Sequence, residues 1–217
     1  MATWTSSVGG TFQNNILSYL KSPDINDNEI VFCIGDISGK GISAALLMSN
    51  FQANLRALVY QEPDLVQLIN TLNERFTKIT NSERFITFFI AKYNKQTHKM
   101  EYVSCGHNPT YIANVDKVEP LTTGCTLLGM FDELPIVNLG ETEVKEESLL
   151  FLYTDGIIDV VNDDDEHYEE ERLEEFLHKN VKTSANDVST NLMKEINEYR
   201  NENPYPDDVT YLAIKLR

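Results

Sequence analysis

The sequence contains no apolar run long enough to cross a bilayer, and its N-terminus lacks the basic region and apolar core of a secretory signal. It is also poor in cations, since 18 Lys and Arg residues face 34 Asp and Glu residues and give a formal net charge of −16. A nucleic-acid backbone or an anionic membrane would repel such a chain. Neither is therefore expected as a partner.

Cysteine is scarce as well. Cys33, Cys105 and Cys125 are widely spaced, and none belongs to a Cys-x-x-Cys pair or to the Cys-x5-Arg motif of cysteine-dependent phosphatases. An odd number of scattered cysteines argues against a disulfide scaffold. The sequence predicts a reduced, cytoplasmic protein in which these side chains pack in the core.

The apolar pattern predicts a single α+β domain over residues 1–217. Helical periodicity follows Gly41, and Pro63 is expected to start a second helix. Ser184 and Asp187 form a capping box for a later helix. The remaining predicted elements are strands at 29–34, 85–93, 100–105, 111–115, 148–154 and 209–216, and a helix near 169–180.

Aspartate stands at the end of an apolar strand in three places. Asp36 follows Ile34-Gly35, Asp155 follows a run of five apolar residues, and Asp207 with Asp208 precedes the last strand. Each has an ordinary explanation, because aspartate also begins helices and forms turns. Three such segments in one chain instead indicate a site for hard divalent cations and metal-assisted hydrolysis.

The glycine-rich loop from Gly35 to Gly41 resembles the phosphate-binding loop of nucleotide-binding proteins. A Walker A loop, however, has four residues between its first glycine and Gly-Lys, followed by Ser or Thr. Here three residues intervene and Gly41 follows Lys40. The loop is better suited to turn the backbone after the strand, which holds Asp36 and leaves the Ile37 carbonyl able to face a cation.

These segments closely resemble the motifs of the SpoIIE-type protein phosphatases, the bacterial branch of the type 2C metal-dependent serine/threonine phosphatases. The resemblance runs from about Val8 to the C-terminus. The matching segments, in the family's order, are Asp36 to Met48, Phe85 to Phe89, Ser104 to Pro109, Leu152 to Gly156, and Asp207 to Thr210.

The resemblance implies a four-layer α-β-β-α sandwich with two central antiparallel sheets and a centre of Mn²⁺ or Mg²⁺, two ions or one. It implies Asp36, Asp155 and Asp207 as catalytic metal ligands, with the Ile37 carbonyl beside them and Asp208 as a ligand or neighbour. A metal-activated water would then hydrolyse phosphoserine or phosphothreonine. By the same analogy the substrate is a phosphorylated bacterial regulatory protein, such as an anti-sigma factor antagonist. A homodimer is compatible with the sequence.

Three further positions are weighed against the family pattern. His107 lies in its Gly-His-Asn segment and is expected to hold a loop by hydrogen bonds rather than to catalyse. Lys40 could attract a phosphate or simply face solvent. Ser38 stands where eukaryotic relatives have a histidine proposed as a general acid, so the leaving group would take its proton from water or another residue.

The chain departs from the family near its N-terminus, where the pattern Val-Gly-Gly-Asp-Phe-Tyr-Asp reads Val8-Gly-Gly-Thr-Phe-Gln-Asn14. Thr11 and Asn14 offer only neutral oxygens in place of two carboxylates, which should weaken at least one cation site. Three possibilities follow. The chain is an engineered or natural variant with impaired metal loading, a phosphatase with one strong and one weak metal site, or a pseudophosphatase that is retained for binding.

Overall fold

The computed structural model describes residues 3–8, 15–21 and 28–216. Its elements, in chain order, are β1 (Thr3–Val8), β2 (Asn15–Lys21), β3 (Glu29–Ile37), α1 (Ile42–Leu58), α2 (Leu65–Thr80), β4 (Ile86–Asn94), β5 (Lys99–Cys105), β6 (Thr110–Ala113), β7 (Val118–Leu121), β8 (Gly124–Cys125), β9 (Gly140–Glu143), β10 (Leu149–Tyr153), α3 (Glu169–Asn180), α4 (Ala185–Arg200) and β11 (Thr210–Lys215). They form two compact units, each with a sheet and two helices.

The first unit comprises residues 1–11, 108–120 and 144–217. Its five-stranded sheet has the order β1-β11-β10-β6-β7, and β11 pairs antiparallel with both β1 and β10. Every residue of β10 is buried, as expected for a central strand. The core of this unit joins that sheet to the apolar sides of α3 and α4, where Leu173, Phe176 and Leu192 are buried.

The second unit comprises residues 12–107 and 121–143. Its sheet has the order β2-β3-β4-β5-β8, with β9 also paired to β5. The pairing is antiparallel except between β5 and the two-residue β8. Helices α1 and α2 supply the core through residues at helical spacing, among them Met48, Phe51 and Leu55 of α1 and Leu68 and Leu72 of α2.

The predicted α+β class with two largely antiparallel sheets and four helices is confirmed. The predicted N-cap at Ser184 is also confirmed, because the Ser184 hydroxyl accepts from the Asp187 amide at the start of α4. The start of α2 was predicted wrongly, since the N-cap is Asp64 and Pro63 lies before the helix. The Asp64 carboxylate accepts a hydrogen bond from the Gln67 amide at 2.9 Å. The side chain of Pro63 has no acceptor atom and could not cap the helix in this way.

Candidate metal centre

Asp36 lies inside β3 rather than beyond its end. The sequence predicted a strand over 29–34, but β3 continues to Ile37 because Gly35 and Asp36 pair with Phe88 and Thr87 of β4. The Thr87 hydroxyl lies 3.5 Å from the Asp36 carbonyl oxygen. Asp36 is half-buried, in a strand whose other residues are mostly buried and which pairs with β2 on one side and β4 on the other.

The Thr87 hydroxyl also bonds His107 Nδ1 at 2.8 Å. His107 is nearly buried, with 8% of its surface exposed. This contact ties the Gly-His-Asn segment to the strand beside Asp36. It fits the expectation that His107 holds a loop by hydrogen bonds.

The loop after Asp36 is fixed to the residues that precede β4. The Ser38 amide donates to the Phe85 carbonyl at 2.9 Å, and the Phe85 amide donates to the Ser38 hydroxyl at 3.0 Å. Gly39 has a φ of 99°, which favours glycine, and a Cβ added there would lie 2.3 Å from Arg84 Nη1. The exposed Arg84 guanidinium therefore lies directly against the loop, a neighbour that the sequence analysis missed.

Asp155 begins the turn after the buried strand β10 in the first unit. The Thr154 hydroxyl donates to the Asp208 carbonyl at 3.1 Å, and the Thr154 amide donates to the Thr210 carbonyl at 2.9 Å. A Cβ added at Gly156 would stand 2.5 Å from the Asp208 carbonyl oxygen. The Thr-Asp-Gly segment and the Asp207-Asp208 segment are thus held against each other.

The carboxylates at this turn repel one another. Burial raises the pKa of Asp155, and the negative charges of Asp159 and Asp207 raise it further, against a smaller opposing effect of backbone hydrogen bonds. Asp159 was not predicted as a neighbour, although its amide donates to the Asp155 carbonyl at 3.0 Å, one turn later. A bound cation would relieve this repulsion, because it would offset the charge that burial and the neighbouring acids disfavour.

The donor chemistry of these segments fits Mg²⁺ or Mn²⁺, which prefer carboxylate and carbonyl oxygens. The structure brings Asp155 together with Asp207 and Asp208 in one unit, whereas Asp36 and Ile37 belong to the other. Thr11 and Asn14 lie outside the described residues. Within residues 3–8, 15–21 and 28–216, no group of three or more His, Cys, Asp or Glu side chains could hold a metal ion.

Solved structures identify the fold as that of the PP2C phosphatase domains. The PP2C phosphatase domain of SpoIIE from Bacillus subtilis, solved with a fragment of its regulatory domain, matches 99% of this chain with a TM-score of 0.83 at 17% identity, over 63% of its own length. RsbX in complex with magnesium matches 100% of this chain with a TM-score of 0.73 at 17% identity, over 96% of its own length.

The family model of stage II sporulation protein E (SpoIIE) matches residues 26–217, and the chain therefore belongs to the SpoIIE family. Phosphoserine phosphatase RsbU of Bacillus subtilis (strain 168) is 24% identical over 196 residues, which is 89% of this chain and 58% of RsbU. The chain thus spans little more than half the length of that relative.

Across the part of the chain that the structure describes, no helix combines the length and the apolar character that a membrane span requires.

Proposed function

We propose that the chain is a divalent-cation-dependent protein phosphatase that hydrolyses phosphoserine or phosphothreonine. The observation that carries this proposal is the acidic cluster at the Asp155 turn. Burial at the end of strand β10 raises the pKa of Asp155, and the charges of Asp159 and Asp207 raise it further. Membership of the SpoIIE family and the PP2C fold support the same chemistry.

In this proposal Asp36, the Ile37 carbonyl, Asp155 and Asp207 hold one or two Mn²⁺ or Mg²⁺ ions, with Asp208 as a ligand or neighbour. When bound, such ions neutralise charge on phosphoryl oxygens and acidify a water molecule. The β3–β4 ladder holds Asp36 in a fixed strand position. The Thr154 hydrogen bonds to Asp208 and Thr210 keep the other acidic segments in register.

We also propose that Arg84 binds the substrate's phosphoryl group. Its guanidinium lies against Gly39, three residues after Asp36, and Nη1 is 3.4 Å from the Ser38 carbonyl. A guanidinium matches the geometry of phosphate oxygens and would offset the excess of negative charge around the site. Because Ser38 stands where eukaryotic relatives have a histidine, the leaving oxygen would take its proton from water or from another residue.

The proposal is tested by measuring Mn²⁺-dependent hydrolysis of an aryl phosphate by the unmodified chain, by Asp155→Asn and by Asp164→Asn. Asp164 is an exposed acid of the same unit outside the proposed site, so it is a control for loss of one charge. We expect Asp155→Asn to lower kcat roughly a hundredfold, as for loss of a preorganised charge at a reaction centre. Calorimetric Mn²⁺ binding should weaken in parallel, and Asp164→Asn should match the unmodified chain. Equal activity of the two variants would refute the proposed centre.

A pseudophosphatase is the second candidate, and the observation that favours it is the presence of Thr11 and Asn14 where the family pattern has acids. Thr11→Asp restores one carboxylate. If the chain is a phosphatase with a weakened site, Thr11→Asp should lower the Mn²⁺ concentration needed for half-maximal rate. If the unmodified chain shows no turnover at saturating Mn²⁺ and Thr11→Asp does, the pseudophosphatase hypothesis holds for this sequence.

We propose a phosphorylated regulatory protein, such as an anti-sigma factor antagonist, as the substrate. The similarity to a phosphoserine phosphatase supports the phosphorylated residue but not the protein that carries it. The name phosphoserine phosphatase can describe an enzyme that acts on free phosphoserine or one that acts on phosphoserine in a protein. Comparing a phosphoserine peptide with free phosphoserine as substrates distinguishes these two activities. A protein phosphatase should release phosphate from the peptide with the higher kcat/KM, whereas preference for the free amino acid would contradict the protein-phosphatase assignment.

A further inference from the structure

Two of the three cysteines lie side by side in the sheet of the second unit. Strands β5 and β8 are parallel, and their register pairs Ser104 with Gly124 and Cys105 with Cys125. Neighbouring strands lie about 4.7–4.9 Å apart, within the range of about 4.4–6.8 Å between the Cα atoms of disulfide-bonded cysteines. The register therefore places the Cα atoms of Cys105 and Cys125 within the range that a disulfide requires.

The two side chains also share one face of the sheet. Cys105 belongs to the buried core beneath α1 and α2, and Cys125 packs against that same core. Both are free thiols. Widely spaced positions in the sequence thus become partners on neighbouring strands, which the sequence analysis did not foresee.

The two thiols differ in access and acidity. Cys105 is fully buried, whereas Cys125 is partly exposed and is followed by the exposed Thr126. Burial raises the pKa of Cys105, while the hydrogen bond from Cys105 lowers the pKa of Cys125. A reagent from solvent would therefore meet the more acidic thiol first, with the second thiol at the paired position of the neighbouring strand.

We propose that Cys105 and Cys125 are a redox modification site, at which a peroxide or a small-molecule disulfide converts the two thiols into an intramolecular disulfide. With hydrogen peroxide, the Cys125 thiolate attacks one oxygen to give a sulfenic acid and hydroxide. The Cys105 sulfur then attacks the Cys125 sulfur, and the sulfenic oxygen leaves as water. Two thiols are oxidised and one peroxide is reduced to two waters.

The bond would join β8 to β5 immediately before Gly106 and His107. Strand β8 has only two residues, so its attachment to the sheet otherwise rests on few backbone contacts. A covalent link closes the chain between β5 and β8 and constrains the unfolded state. The oxidised form should therefore unfold at a higher temperature than the reduced form.

Peptide mapping of the full chain tests the proposal without any substitution. Trypsin cleaves after Lys99, Lys117 and Lys145, so Cys105 and Cys125 fall in separate peptides, 100–117 and 118–145, whereas Cys33 falls in peptide 22–40. After treatment with peroxide or oxidised glutathione, denaturation and alkylation, we expect 100–117 and 118–145 to be linked in monomeric protein. Peptide 22–40 should be alkylated as a free thiol. Linkage should disappear on reduction.

Matched variants sharpen the test. Cys33→Ser should leave both the linkage and the rise in unfolding temperature intact. Cys125→Ser should abolish both, and Cys105→Ser should leave Cys125 as a trappable sulfenic acid or glutathione adduct. The proposal is overturned if peroxide carries Cys125 to the sulfinic acid with Cys105 still a free thiol. It is equally overturned if the linked peptides occur only between two chains.

Discussion

Among single residues, Arg84 is the one whose substitution gives the most direct functional prediction. Its guanidinium lies against the loop that follows Asp36, in a protein with few cations overall. We expect Arg84→Ala to raise KM for an aryl phosphate roughly tenfold, the effect of losing one charge-assisted hydrogen bond, with a smaller change in kcat. Steady-state kinetics with Arg84→Lys as the charge-preserving control measure this. An unchanged KM in Arg84→Ala would remove Arg84 from the substrate site.

The raised pKa of Glu170 leads us to expect that the stability of the protein depends on pH. Burial raises its pKa, and the charges of Glu174 and Glu171 raise it further; its charge also acts on the buried Tyr111 and Tyr153. When the pKa of a carboxyl is higher in the folded state than in the unfolded state, the folded state binds more protons at pH values between the two. The free energy of unfolding therefore falls as the pH rises through that range. Glu170→Gln should therefore unfold at a higher temperature than the unmodified chain at pH 7.

Below the ordinary pKa of glutamate this advantage should vanish, because both forms of position 170 are then neutral. The exposed Glu202→Gln is the control for a simple reduction of the net charge of −16. Thermal unfolding at pH 7 and at about pH 3, well below the ordinary pKa of glutamate, gives the comparison. Equal gains from the two substitutions at pH 7 would show that net charge, rather than the surroundings of Glu170, is responsible.

At the element scale, α4 depends on its first hydrogen bonds. The Ser184 hydroxyl accepts from the Asp187 amide at 3.2 Å and donates to the Asp187 carboxylate at 2.7 Å. Ser184→Ala removes both hydrogen bonds and should lower the free energy of unfolding by about 1 kcal/mol. Ser184→Thr keeps a hydroxyl and should change the free energy of unfolding by only a few tenths of a kcal/mol. Chemical denaturation measures the difference, and equal stability of the two variants would contradict the capping role.

The elements that the sequence predicted are those with strong local signals. Helices α1 to α4 show apolar periodicity, and β10 is a continuous apolar run. Strands β1 and β2 were missed, and so were β7, β8 and β9, whose two to four residues are too few to show a period. The extension of β3 through Asp36 depends on pairing with β4, a partner distant in sequence.

The same distinction applies to the candidate site. Asp155 and Asp207 could be selected from sequence because each adjoins an apolar strand. Arg84, Thr87 and Asp159 could not, since their roles arise from contacts with the Asp36 loop, with His107 and with the Asp155 turn. The proposed ligand residues and the single-domain organisation over 1–217 stay predictions.

At the scale of the whole molecule, the fold and the acidic segments support a single account. A PP2C fold in the SpoIIE family carries acids in both units, Asp36 in one and Asp155 with Asp207 in the other. The excess of negative charge disfavours binding of phosphate anions unless cations offset it. Divalent cations are therefore central to the proposed activity, because they would provide both the water activation and the charge compensation.

The most direct test is the rate of phosphate release from a phosphoserine peptide by the full chain, measured with saturating Mn²⁺, after chelation, and after Mn²⁺ is restored. The account predicts turnover with Mn²⁺, its loss on chelation and its recovery on restoration, while far-ultraviolet circular dichroism shows the chain folded throughout. Turnover that persists after exhaustive chelation, or no turnover at any Mn²⁺ concentration in the folded protein, would contradict it.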